Sequence, residues 1–215
     1  MDRIFKRHKF FWSQKSFGKN VIFSVLLLAG SLVANYFANV YTTTHVSNPV
    51  SDIILDNLPV FNVRFMFVQG AIVFGIFVII LVLREPQRMP FVVKSVAIFI
   101  LIRSLFIMLT HTALPPDHVI LDPTSIFRFI TAGDDMFFSS HTGLPFLLAL
   151  IFWQNKRLRL FFIIVSFIFA VSVLMAHLHY SIDVFAAFFM SYSIFHIARR
   201  FFLKDYALFN ESAAK

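Results

Sequence analysis

The 215-residue chain is 59% hydrophobic and 14% charged with a mean hydropathy of +0.79, against about half and a quarter in a soluble domain, so water is not the solvent for most of it. A formal net charge of +8 would point to nucleic acid in a soluble protein, but in a membrane protein the placement of charge outweighs its sum, and no nucleic-acid partner is expected. With no cysteine, disulfides, thiolate metal sites and a cysteine nucleophile are excluded.

The basic stretch MDRIFKRHKFFWSQKSFGKN opens the chain and reads as a tail over residues 1–19, with a mitochondrial transit peptide as the rival reading. The apolar run that follows, about 21 residues, is too long for a signal-peptide core and reads as a retained first span. A helix needs roughly 20 apolar residues to cross the hydrocarbon core. Six segments meet that standard or approach it: about 20–41, 63–83, 91–110, 140–154, 159–177 and 180–198. The fourth is long enough only if its polar start, SSHTG, belongs to the helix. Arg103 and Asp183 are the charges inside the third and sixth. No repeat or low-complexity linker interrupts the series, so residues 20–200 read as one membrane domain and 201–215 as a second tail. The expected fold class is all-α, a polytopic six-helix bundle.

Charge then sets the orientation. All but Arg64, Arg103 and Arg128 of the 19 basic residues fall in the two tails or in the turns near 84–94 and 156–159. The opposite loops carry Asp52, Asp56, Asp117, Asp122, Asp134 and Asp135. By the positive-inside rule both termini are expected in the cytoplasm. Two histidine-headed clusters then share the outer face: GDDMFFSSHTG at 133–143 and MAHLHYSIDV at 175–184.

His179 and Asp183 are four apart and share one face of a helix, so the carboxylate can orient the imidazole and raise the nucleophilicity of its other nitrogen. The plain alternative is an interfacial His–Asp pair that caps the sixth helix. Ser139, Ser140 and Thr142 surround His141 at the start of the fourth span, where free N–H groups and the positive dipole end favour an anion. Its plain alternative is a serine N-cap beside an interfacial histidine. Together the clusters suit phosphoryl transfer, one histidine attacking and the other protonating the leaving oxygen. A metal site on His141, His177, His179 and Asp183 is the chemical rival, although H-x-H-x-x-x-D lacks the general-base glutamate of a zinc H-E-x-x-H, and neither metal nor cofactor is expected. A transporter would place polar groups or broken helices at mid-depth in several spans; here they gather at one surface.

DMFFSSHT (135–142) followed by AHLHYSIDV (176–184) resembles the sphingomyelin synthase-related branch of the PAP2 lipid phosphatase and phosphotransferase superfamily. RSLFIMLTHTALPP (103–116) and SDIILDNLP (51–59) are similar to further stretches of that branch. The resemblance implies a phosphohistidine intermediate on His179, oriented by Asp183, with His141 as acid and then base. It implies that Asp135, Ser139, Ser140, His177 and Arg103 help to hold the substrate. Ser140 stands where the family usually has glycine. Ordinary PAP2 phosphatases carry a Lys…Arg-Pro motif and an arginine six residues before the nucleophile; here that position is Val173 and the motif is missing. So few cations better suit a phosphodiester than a monoester dianion. The expected reaction moves a phospho-headgroup from a phospholipid to a lipid alcohol of the ceramide or diacylglycerol type. Release to water by a lipid phosphatase, or a non-catalytic lipid-binding role, is the alternative. The expected home is an inner membrane with the site facing the periplasm or exterior, or the Golgi or plasma membrane of a eukaryote; neither headgroup, acceptor nor oligomeric state is legible.

Overall fold

The computed structural model describes residues 2–119 and 137–211, those of 2 and 3 without their side chains. Asp122, Arg128, Asp134 and Asp135 lie outside the described residues. The described residues are helical, without strands. The helices are α1 (Asp2–Trp12), α2 (Lys15–Thr44), α3 (Arg64–Arg84), α4 (Met89–Leu109), α5 (Ser140–Ile151), α6 (Lys156–Met175), α7 (Ser181–Phe201) and α8 (Leu203–Glu211). Five of them, α2, α3, α4, α6 and α7, are long and apolar enough to cross a membrane. This is an integral, multi-pass membrane protein.

The expected fourth span departs from a full crossing. Its polar start does belong to the helix, but α5 ends at Ile151 and has 12 residues, about 18 Å at 1.5 Å per residue. Its last five residues, Leu147 to Ile151, are at most 9% exposed. α5 is therefore a short inner helix wrapped by its neighbours. Pro145 removes one backbone donor inside it, and two hydroxyls from flanking helices reach its first turns: Ser166 donates to the Thr142 carbonyl (2.7 Å) and Ser191 to that of Gly143 (2.9 Å).

Two faces of the bundle are fixed by contacts between helix ends. At one, Ser47 N–H donates to the His111 carbonyl, Phe61 N–H to Met175, Val119 N–H to Ala176 and Ser139 N–H to Asp183. Both histidine clusters lie on this site face. At the other, basic face, His8 Nε2 lies 2.8 Å from the Leu83 carbonyl and Arg7 pairs with Glu85 at 3.6 Å.

α2 and α4 form the most extensive helix pair. Ser24, Ser31, Asn39 and Thr42 of α2 are buried, and small polar side chains of this kind let helix backbones approach closely in a membrane. α4 begins at Met89, so Lys94 is inside a helix rather than in the turn where the sequence suggested it. It is 4% exposed, and Lys94 Nζ donates to Asp205 Oδ2 (2.6 Å) and Asn20 Oδ1 (2.5 Å). Asn20 Nδ2 closes the triangle on Asp205 Oδ1 at 2.6 Å. Burying an ion pair is favourable only when its remaining hydrogen bonds are made, and here they join α2, α4 and α8.

Candidate active site

α5 begins where it does because of residues 137–139. Phe138 has φ 25°, a conformation rare outside glycine, and is held there by full burial with its ring edge-on to Phe99 at 5.4 Å. Arg103, 5% exposed on α4, donates from Nε to the Phe138 carbonyl at 3.2 Å. Ser139 then caps α5, its hydroxyl accepting from Thr142 N–H at 3.4 Å. Its own N–H donates to the Asp183 carbonyl at 3.1 Å, which joins the two histidine motifs directly. The left-handed residue is thus Phe138 and not 140. Ser140 is the first helical residue, where a Cβ is accommodated without backbone cost.

His141, in the first turn, stacks on the Phe67 ring at 3.9 Å and meets Phe169 edge-on at 5.8 Å. It lies within electrostatic reach of both His179 and Arg103. His179 and Asp183 are 5% and 3% exposed, and Nδ1 of the histidine faces Oδ2 of the aspartate at 3.5 Å. That Nδ1 and the Thr142 hydroxyl are two of four buried side-chain polar atoms left without a hydrogen-bond partner among the described residues. Asp183 is fixed by Tyr180 N–H, which donates to its Oδ2 at 3.1 Å.

The remaining polar groups hold the loop between α6 and α7. α6 ends at Met175, and His177 follows at φ 53°; its N–H donates to Leu174 and that of Leu178 to Val173, a Schellman turn with histidine in the glycine position. The His177 ring, 6% exposed, lies 2.9 Å from the Leu58 carbonyl, so it pins the 45–63 loop. Asp52 in that loop accepts from Ser181 N–H at 2.6 Å, capping α7, and from Ile54 and Leu55 at 2.9 and 3.2 Å. Burial alone would raise the Asp52 pKa, but the bonds from Ser181, Leu55 and Ile54 outweigh it and leave it below 3.8. Tyr180 donates to the Ala113 carbonyl (3.0 Å) and accepts from Val50 N–H (3.1 Å). Burial foremost, with Asp183, Asp52 and Asp56 nearby, raises its pKa despite the Val50 bond.

The structure thus brings His141, His179, Asp183, Ser139, Ser140 and Arg103 to one place. His177 stands one turn aside, and Asp135 lies outside the described residues. Sequence reasoning missed Phe67, Tyr180, Ser166 and Ser191 and gave Asp52 no role. Only Asp52 and Tyr180 left a signal, through their places in the two quoted motifs. A cleft of about 430 Å³ opens beside the site between the 50–60 loop and the 115–117 turn, walled by His177 and Tyr180. None of His141, His179 or Asp183 lines it. No group of three or more His, Asp or Glu able to hold a metal occurs among the described residues.

Residues 133–200 match the family model described as PAP2 superfamily C-terminal. The match spans about a third of the chain and takes in both histidine motifs. It supports membership of the PAP2 superfamily, and with it a phosphatase-type enzyme acting on lipids. No curated protein and no solved structure matches the chain.

Proposed function

We propose that the chain is a lipid phosphotransferase that moves a phospho-headgroup from a phospholipid to a lipid alcohol. The observation that carries this reading is the Ser139 N–H to Asp183 carbonyl bond, which sets the anion-seeking start of α5 against the His179–Asp183 pair. With Nδ1 of His179 turned to Asp183, Nε2 is the attacking atom. It forms a bond to phosphorus as the bond from phosphorus to the lipid alkoxide breaks, and His141 gives its proton to that alkoxide. His141 then takes the proton of an acceptor hydroxyl, whose oxygen displaces His179. The 3.5 Å gap between His179 and Asp183 suits an empty site, since catalytic hydrogen bonds tighten when substrate binds.

Substrate-holding roles follow for Ser139, Ser140, Asp135, His177 and Arg103. The position six before His179 is Val173, buried in a cluster with Phe67, Ala170 and Val184, so no cation stands there. This supports a phosphodiester donor and, with the motif resemblance, the sphingomyelin synthase-related branch over monoester phosphatases. In this reading α5 completes a six-helix bundle with both termini cytoplasmic and the site outside. Release of the group to water is the second reading, favoured by a match to the superfamily as a whole.

The test is a phospholipid labelled in its phosphorus, given with a lipid alcohol to the reconstituted protein. Label in a second lipid, lost in His179→Ala, supports transfer. Label only in water-soluble product supports hydrolysis, and no turnover in either form supports a non-catalytic lipid-binding role.

A further inference from the structure

α1 takes no part in the site, yet its residues are arranged for a surface. At about 100° per residue, Ile4, Phe5, His8, Phe11 and Trp12 share one arc of the helix, while Lys6, Arg7 and Lys9 lie on the other together with Phe10. Part of the apolar arc meets the bundle: Phe11 and Trp12 pack on the Phe17 ring at 5.3 and 5.6 Å. Ile4 and Phe5 are uncovered, at 46% and 72% exposed, and Trp12 still leaves 48% of its surface open.

The depth of α1 is set independently. His8 is tied to the Leu83 carbonyl at the end of α3, and Arg7 to Glu85 in the turn that follows. An extended Gln14 (ψ 112°) breaks α1 from α2, so the short helix does not continue as part of the span. It therefore lies level with the ends of the spanning helices, where lipid headgroups are. Lys6 and Lys9, with Lys15 and Lys19 one turn apart at the start of α2, are exposed and make no ion pair among the described residues. Aromatic side chains below and lysines beside them complement an anionic leaflet.

We propose that α1 is an interfacial helix that binds anionic phospholipid headgroups at the basic face, with Phe5 and Trp12 among the upper acyl chains and the four lysines on the phosphates. The proposal is independent of the reaction at the site face.

The experiment uses the full-length protein in bilayers of equal phosphatidylcholine and phosphatidylglycerol, with association measured by spin-labelled lipids. A lysine near an anionic surface is worth about fivefold, the equivalent of about 1 kcal/mol. Wild type should prefer phosphatidylglycerol at least fivefold, and replacing Lys6, Lys9, Lys15 and Lys19 by glutamine should bring the ratio near one. High salt should do the same to wild type through screening, which keeps the test valid if the variant fails to fold. In a Trp153→Phe background, lipids brominated near the headgroup should quench Trp12 more than lipids brominated at the chain end. An anionic preference unchanged by the variant and by salt would overturn the proposal. So would a Trp12 that no brominated lipid quenches, the result expected if this face instead docks a soluble acidic protein.

Discussion

Gly143 sits two residues past His141, on α5 against Phe99 of α4 and Ser191 of α7. A Cβ built there would meet Ser191 Oγ at 2.9 Å and two carbons of the Phe99 ring at 3.0 Å. Neither neighbour can yield cheaply: Phe99 is 2% exposed, and Ser191 is fully buried and bonded to the Gly143 carbonyl. Overpacking of a filled core costs about 1–3 kcal/mol, and losing the serine bond adds about 0.6 kcal/mol by membrane-protein precedent. Against this, alanine is the better helix former by about 1 kcal/mol. Gly143→Ala should therefore lower stability by about 0.6–2.6 kcal/mol, or roughly 1–10 °C in unfolding midpoint for a chain of this size. Gly75 in α3 is the control, since a Cβ there meets nothing within 4 Å and alanine should hold or raise the midpoint. Because relief requires the first turn of α5 to shift, turnover should also fall, by ~10-fold or more, with KM less affected. Thermal unfolding in detergent and lipid turnover read both effects. A Gly143→Ala protein as stable and active as Gly75→Ala would refute the packing argument.

His141→Ala, His179→Ala and Asp183→Ala should each remove most activity, and the double histidine variant little more than either alone, because a unit is lost at the first deletion. Near-normal turnover in His141→Ala would end its role as proton donor. Arg103→Lys keeps the charge but not the planar fork that donates to Phe138, so turnover should drop well beyond any change in expression. Asp52→Asn weakens the cap on α7, at about 0.5–2 kcal/mol. Since the folded pKa of Asp52 is depressed, its contribution is present above the ordinary carboxylate range and is lost as pH falls through the folded pKa. Unfolding midpoints followed downward from pH 5 should thus show a shallower loss in Asp52→Asn than in wild type.

The spanning helices were legible because each is a long apolar run between polar turns; α3 at Arg64–Arg84 lies one residue from its expected limits. α5 was legible in part: its start at Ser140 and its marginal length could be read, but hydropathy cannot tell a helix sheltered by other helices from one facing lipid, so its place inside the bundle could not. The site motifs were legible because polar residues beside hydrocarbon need a reason to be there. Their support was hidden for the opposite cause. Ser166 is one of two serines in α6 and Ser191 one of three in α7, and only packing shows that each meets a carbonyl of α5. Phe67 is one phenylalanine among 31, so nothing marked it as the partner of His141. Lys94 was hidden because a basic residue near a turn looks solvated until its partners, 74 and 111 positions away, are in place.

The central claim is that His179 carries the phosphoryl group. Reconstituted protein given phosphorus-labelled phospholipid without acceptor, then quenched in alkali, should hold label that acid releases and that maps to the peptide containing His179. Asp183→Ala should hold less, and His179→Ala none. Label that persists on the protein in His179→Ala, or wild type that turns over lipid without ever becoming labelled, would contradict the account.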